Sequence, residues 1–570
     1  MVWLELSSNG IRSACLVIFI ISFSILILTL TSNFGHFELF SKDINGRGQN
    51  LTTQCLPLRS GIISQNITNN ELENKNSTES NIGSTNSSSS STRNHADKFL
   101  DGLIPSGFNK GSCLSRYQSY LYRKVSPYKP SPYLISKLRN YEDLHRRCGP
   151  HTRAYKRTMV HLNSFKSNVT TIGSCKYIVW TPANGLGNRI VSIAATFLYA
   201  ILTDRVLLVK FQDDMVGLFC EPFLNSSWLL PNAKEFPFST DDNGKKDFET
   251  YDIVMKRDRE NNSKELLLPS VMHLKIEHTD DEHEMFFSCD HSQHLLHKVP
   301  ILILRSDQYF VPSLFMGPSF GQELRKMFPN KETVFHHLGR YLFFPSNDVW
   351  GPIKRFYQAY LAKADEKIGI QVRVFYPNIS SHQTITKQIL TCAQKNKILP
   401  NFAAKDSKES PRKNQTLKSV LVASLYREYG ENLRTMYLNK PSVTGEIIGV
   451  YQPSHEEHQK FGDNLQNKKA LTEMYLLSLC DVLVTSSLST FGYVAQSLGG
   501  IKPWVLYKLQ DNNLPDSPCV QDVSMEPCYH IPPKLDCMEK PIDDDVGKAF
   551  PYMRRCVDYN LGVKLVNDLQ

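Results

Sequence analysis

The sequence lacks several of the signatures that would settle its chemistry at once. None of its 13 cysteines forms a CxxC pair, so a zinc-ribbon reading has nothing to rest on. No glycine-rich turn ends in GK[ST], which excludes a P-loop, and no GxG continues to the third glycine of a dinucleotide fingerprint. There is no internal repeat. The net charge of +9 is scattered along the chain rather than gathered into a stripe, so it reads as a solvated basic surface and not as a nucleic-acid interface.

What is present begins with one long apolar run, Ser13 to Leu30, "SACLVIFIISFSILILTL", uncharged and long enough to cross a bilayer as a helix. No small-x-small cleavage site follows it, which favours a retained anchor over a signal peptide. Arg12 lies before the span, so the short tail is expected in the cytosol and the body in a lumen. The short span suits a thin early secretory membrane. Sequons spread from Asn50 through Asn225 to Asn414, and a cysteine cluster at Cys519, Cys528, Cys537 and Cys556, agree with a lumenal body. That cluster lies among prolines, in a stretch poor in regular structure that disulfides would staple.

Residues 31–97 are dominated by Asn, Ser and Thr and cannot bury enough apolar surface to offset their ordering entropy, so they are expected to form a disordered stem. The remainder alternates apolar runs with helical patterns. Strands are expected at Tyr177–Thr181, Val206–Val209, Pro300–Arg305, Ile368–Val374, Ser419–Ser424, Ile447–Tyr451, Val482–Thr485 and Trp504–Tyr507, with helices at Ile353–Lys367 and Asn467–Leu479 among them. This predicts an α/β protein with two Rossmann-like halves facing a cleft, one on either side of about Trp350. The expected organisation is a cytosolic tail (1–12), an anchor (13–30), a stem (31–97), an N-terminal domain (98–352) and a C-terminal domain with the cysteine-rich tail (353–570).

Three stretches could carry chemistry. "IVWTPANGLGNRI" breaks from a strand through a glycine turn into a helix, with Gly187, Asn188 and Arg189 at the carboxyl end of the strand, where open α/β sheets bind ligands. Its glycines could equally serve only tight strand–helix packing. "EKIGIQVRVFYPN" sets Arg373 in a buried-looking strand; it either pairs with a structural carboxylate or aims its planar fork at a phosphate. "CDVLVTSSLSTFGYVAQSLGG" runs a strand into hydroxyls and then a helix, which makes an anion site at Ser489, Thr490, Phe491 and Gly492, or ordinary N-capping. A histidine-rich run, His273, His278, His283, His291, His294 and His297, matches no common metal spacing and reads as a solvated loop.

With "GSCLSRYQSYLYRK", "SPYLISKLRNYEDLHRRCGP", "NGLGNRIVSIAATFLYAILTDRVLLV", "ADEKIGIQVRVF", "VYQPSHE", "NKKALTEMYLLSL", "TFGYVAQSLGG" and "SMEPC" in view, the chain from about Phe99 onward resembles the plant xyloglucan-type galactoside fucosyltransferases, glycosyltransferase family thirty-seven. The resemblance implies a GT-B fold and a type II Golgi membrane enzyme. It would move fucose from GDP-fucose, without a metal and with inversion, to the 2-hydroxyl of a galactose on xyloglucan or arabinogalactan. It gives Arg373 the donor phosphates and Ser489, Thr490, Phe491 and Gly492 the GDP loop. Gly187, Asn188 and Arg189 then face that loop across the cleft, and Asp307 stands near the acceptor hydroxyl. Asp307 and Asp558 are the candidate proton acceptors. Leu488 stands where the family usually has tryptophan, and "FFSCDHSQ" departs from its usual run. Expected partners are GDP-fucose, the galactose-containing wall glycan and the Golgi membrane, with a homodimer left open and no cofactor beyond the donor. The rivals are a protein O-fucosyltransferase-like enzyme and a non-catalytic lumenal glycan-binding protein.

Overall fold

A computed structural model describes residues 98–164, 175–240, 249–260, 268–278, 287–374, 381–403, 415–509, 513–538, 540–542 and 545–567. The expected tail, anchor and stem lie outside these residues, as do His283 and every sequon named above except Asn225. Among the described residues no helix is long and apolar enough to cross a membrane.

Two sheets organise the chain. The first has the order β2-β1-β4-β3, all parallel, from β1 (Lys176–Pro182), β2 (Arg205–Val209), β3 (Val271–Ile276) and β4 (Ile301–Ser306). The second has the order β10-β9-β8-β5-β6-β7, from β5 (Glu366–Val372), β6 (Leu417–Ser424), β7 (Ile447–Tyr451), β8 (Val482–Ser486), β9 (Trp504–Leu506) and β10 (Cys519–Gln521). Only β10 runs antiparallel, at the edge. Parallel strands are covered on both faces, which is why β1, "KYIVWTP", is buried from its second residue onward and reads as a continuous apolar run. The helix Leu186–Leu202 that follows β1 is buried almost all round, as a helix enclosed within a large protein must be.

The differences from the sequence reading have local causes. Pro352 falls inside the helix Asn347–Phe356, and a π-turn at Tyr357–Leu361 closes it, so the helix expected at Ile353–Lys367 starts and stops early. β5 then begins at Glu366 and ends at Val372, leaving Arg373 as the first residue beyond the ladder. β3 was not anticipated because it is an edge strand, "VMHLKI", whose alternating burial puts His273 and Lys275 among its apolar residues.

After β10 the chain leaves the second sheet and packs against elements of the first half. Tyr309 Oη donates to Glu526 Oε2 at 2.5 Å and Phe335 N donates to Glu526 Oε1 at 2.8 Å. Tyr552 Oη donates to Phe315 O at 2.8 Å, and a disulfide joins Cys289 to Cys537. The tail also holds a short antiparallel hairpin, β11 (Met553–Arg555) with β12 (Val563–Leu565). Only one bridge, Cys528–Cys556, forms inside the C-terminal cysteine cluster; Cys519 bonds Cys392, and Cys113–Cys220 and Cys148–Cys175 staple the N-terminal half. Lys564 and Asp522 form an ion pair with both side chains almost wholly buried, which removal of either partner would leave as an isolated charge.

Burial pushes the Glu526 carboxyl up to about 8, against the pull of its Tyr309 and Phe335 donors. The folded protein therefore keeps a proton that the unfolded chain releases near its ordinary carboxyl pKa. Stability from this group is fully present at low pH and is lost as pH rises towards about 8. Glu473, pushed up to about 8 mainly by burial, acts in the same direction. Glu526→Gln should flatten part of this decline. Thermal midpoints for both proteins across pH 5 to about 8 check it; parallel curves would mean that Glu526 is already ionised in the fold.

Candidate active site

The carboxyl ends of β1, β5 and β8 bring two turns together. The chain leaves β1 at Pro182 and passes through Asn184, whose φ of 57° is left-handed, before the Leu186–Leu202 helix begins at the Gly185 cap. The chain leaves β8 at Ser486 and passes through Leu488, with φ of 56°, before the helix Thr490–Gly499. Neither helix has a side-chain cap, so N-capping by Ser489 is not what this serine is for.

The two helix starts touch. A Cβ on Gly187 would lie 2.7 Å from Thr490 Oγ1 and 2.9 Å from Phe491 N. Thr490 Oγ1 donates to Asn188 Oδ1 at 2.7 Å, and Asn188 Nδ2 lies 3.5 Å from Asp307 O. Gly187 is thus required by close approach of two backbones, and it and Asn188 contact the Ser489–Gly492 loop rather than facing it across open space. A Cβ on Gly492 would meet Thr485 Cβ at 3.1 Å and Gln371 Oε1 at 3.2 Å, which seats that helix tightly on β8 and β5.

Arg373 sits beside this junction. Its backbone N donates to Ser486 Oγ at 2.9 Å, and its guanidinium donates to Gln459 Oε1 at 2.7 Å. Gln459 also approaches the glycine turn, with Nε2 3.2 Å from the Cβ position of Gly185. Burial lowers the basicity of the guanidinium, and Tyr426 counters that effect. Arg373 therefore stands at the carboxyl end of β5, within one side chain of both turns.

Arg189 has a different task from the one expected. It is buried, its Nη1 donates to both carboxylate oxygens of Asp214 at 2.8 and 2.9 Å, and its Nε donates to Asn184 O at 2.8 Å. Asn467, on the helix Asn464–Ser478, donates to Asp214 O at 3.1 Å and Oδ2 at 3.2 Å. Arg189 thus locks the left-handed turn and ties the two halves together, its fork committed to Asp214 and Asn184.

Asp307 is wholly buried and saturated. Oδ1 accepts from His278 N at 3.1 Å and Gln308 Nε2 at 2.7 Å; Oδ2 accepts from His278 Nδ1 at 2.6 Å and from Asn184 Nδ2. Asp558, carried in from the C-terminal tail, accepts from Leu488 N at 2.9 Å and Tyr493 Oη at 2.5 Å, while its Oδ1 is buried with no hydrogen-bond partner. Tyr493 Oη also lies 3.2 Å from His530 Nε2. Burial, reinforced by Asp558, pushes the Tyr493 hydroxyl well above its ordinary value. Asp558 holds Leu488 in its left-handed conformation, a positioning task rather than direct proton transfer.

Of the histidine-rich run, His278 bonds Asp307, His291 bonds Asp258 at 2.8 Å and His297 Nε2 lies 3.2 Å from Lys176 Nζ, so these three diverge. One group of three potential metal ligands converges among the described residues, Cys528, Cys556 and Asp558, and its two sulfurs are bonded to each other. His278 went unsingled in the sequence because five other histidines surround it; the signal was its place just beyond β3, level with Asp307 beyond β4.

A family model described as xyloglucan fucosyltransferase matches residues 73–538. The chain is 51% identical to the galactoside 2-alpha-L-fucosyltransferase of Arabidopsis thaliana over 83% of its own length and 84% of that protein. It is 48% identical to the galactoside 2-alpha-L-fucosyltransferase of Pisum sativum over 83% of its length and 82% of that protein. A solved structure of Arabidopsis thaliana FUT1, a lysine-for-arginine mutant in complex with GDP, superposes with a TM-score of 0.75 at 51% identity, covering 82% of this chain and all of that one.

Gly187→Ala should lower stability by about 1–3 kcal/mol, because besides the Thr490 hydroxyl it would strike Phe491 N and Thr490 C, backbone atoms that cannot turn aside. Gly185→Ala should cost far less, since the atom it approaches is the flexible end of Gln459. Thermal or denaturant unfolding of the two variants separates them; equal costs would mean the helix junction yields.

Proposed function

Because the chain belongs to the xyloglucan fucosyltransferase family, we propose that it transfers fucose from GDP-fucose to the 2-hydroxyl of a galactose on a plant cell-wall glycan, with inversion, in a GT-B arrangement of its two parallel sheets. The observation that carries this reading is the junction itself: Arg373 and two uncapped helix starts meet at the carboxyl ends of β1, β5 and β8. That end of a parallel sheet is where such folds receive ligands.

The chemistry follows from the charges. GDP leaves carrying negative charge, and a guanidinium with oriented helix amides stabilises it in a site where water is scarce. Arg373 supplies the fork and the Ser489–Gly492 segment supplies amides and hydroxyls. Asn188 joins the two turns, so displacing it disturbs the donor loop through Thr490. The transfer needs no metal in this reading, since cationic protein groups stand where a divalent ion would act. The enzyme is a type II Golgi protein, anchored by Ser13–Leu30 with its disulfide-bonded body in the lumen.

The decisive experiment incubates the full-length protein in detergent with GDP-fucose and three acceptor classes: galactosylated xyloglucan oligosaccharides, arabinogalactan glycans and folded protein domains. Fucose on galactose supports the proposal. Fucose on protein Ser or Thr, or bound GDP-fucose without any transfer, removes it. Arg373→Lys should lose roughly 2–4 kcal/mol of transition-state stabilisation, because an ammonium cannot reproduce a bidentate phosphate contact; near-normal initial rates from the folded variant would take Arg373 out of the donor site. Chelator should leave the rate unchanged, and restoration of a chelator-abolished rate by a divalent ion would contradict the metal-free assignment.

A further inference from the structure

The geometry points to His278 as the base that receives the acceptor proton, with Asp307 as the residue that positions it. The inference rests on the fucosyl-transfer reading above. His278 Nδ1 lies 2.6 Å from Asp307 Oδ2, and the backbone N of His278 donates to Asp307 Oδ1 at 3.1 Å. A carboxylate only accepts, so against it Nδ1 carries the proton and Nε2 keeps its lone pair; Asn184 Nδ2, 3.2 Å from the same Nδ1, gives its hydrogen to Asp307 Oδ2 instead. Among the described residues nothing hydrogen-bonds Nε2.

The contrast in exposure makes this arrangement unlike a packing device. Asp307 has a side-chain exposure of 0%, whereas the His278 ring is 55% exposed. Burying a carboxylate is costly unless donors surround it, and Asn184, Gln308 and the His278 backbone do so. All of that fixes the orientation of a ring that contributes little to the core. The pair also stands in the right place. Asp307 O is 3.5 Å from Asn188 Nδ2, and Asn188 Oδ1 accepts from Thr490 on the donor loop. The dyad belongs to the first sheet, beyond β3 and β4, and Arg373 and the donor loop belong to the second. An inverting displacement needs this separation, with the base behind the incoming hydroxyl and the leaving group opposite.

The step balances as follows. The galactose oxygen forms a bond to fucose C1 while its proton passes to His278 Nε2. The bond from C1 to the β-phosphate oxygen breaks, and its electron pair leaves with GDP. The imidazolium later returns its proton to water. The ionisable groups that interact with the ring are Asp307 and His530 from the C-terminal tail; Glu277, the preceding residue, is held by Arg305 at 2.6 Å and Lys275 at 3.4 Å.

The test uses the full-length protein with GDP-fucose and a galactosylated oligosaccharide. His278→Gln and His278→Ala should bind GDP as the parent does, by calorimetry, and turn over about 10²- to 10⁴-fold more slowly. The parent rate should rise with pH as the imidazole loses its proton, a limb absent from His278→Gln. Free imidazole should restore part of the His278→Ala rate, since the exposed ring leaves an accessible space; a structural role would not respond to it. Asp307→Asn should lower turnover and shift the pH limb. A His278→Ala protein that binds GDP normally and keeps the parent rate and pH limb overturns the proposal. If the parent itself moves no fucose to galactose, the functional reading fails first and the base assignment falls with it.

Discussion

The structure depends most on the contact between two helix starts, made possible because residue 187 has no side chain. Each helix presents unpaired amides and the positive end of its dipole, and like ends brought together repel unless negative charge or fixed acceptors lie between them. The chain supplies one such acceptor, Asn188 Oδ1, to the Thr490 hydroxyl. It holds the halves together elsewhere, through buried Arg189, Asp214 and Asn467. The attraction that maintains the junction is therefore offset from the place where positive potential accumulates. A diphosphate would complete the junction electrostatically without being required to assemble it.

The C-terminal tail supplies much of what keeps that junction in one conformation. It leaves the second sheet at β10, packs Glu526 between Tyr309 and Phe335, and is fastened by Cys289–Cys537. It then delivers Asp558 to the turn before the helix Thr490–Gly499 and His530 to Tyr493. The tail meets the first half through Glu526, Tyr552 and the Cys289–Cys537 bridge, and the second-sheet loop through Asp558. Relative movement of the halves would consequently strain it.

The sequence disclosed these features unevenly, for physical reasons. Central parallel strands are apolar on both faces, so β1, β6 and β8 stand out as continuous runs, and the glycine turn and serine loop mark their carboxyl ends. Edge strand β3 alternates and hides among histidines, while β10, β11 and β12 are three residues long and owe their existence to neighbours. Arg189 was misread because local pattern places it at a helix start without saying which way the fork turns; only Asp214, 25 residues on, settles that. Asp307 entered only through the family resemblance, because its four donors, and so its service to His278, depend on contacts from the turns after β1 and β3 and from its own turn.

Leu488 shows how backbone demand can be separated from side-chain choice at the same position. A left-handed φ costs any non-glycine residue about 1–2 kcal/mol, and tryptophan there would bear the same cost as leucine. What meets that cost is independent of the side chain: Asp558 takes the Leu488 N–H at 2.9 Å and is itself oriented by Tyr493, one turn into the helix Thr490–Gly499. Glycine would relax the turn but remove whatever the side chain offers to the cleft. The position is therefore held by the backbone and left free to vary in what it presents. Exchange of an aromatic platform for a branched aliphatic one changes the surface offered beside the Ser489–Gly492 loop while Ser489, Thr490 and the helix start remain where they are.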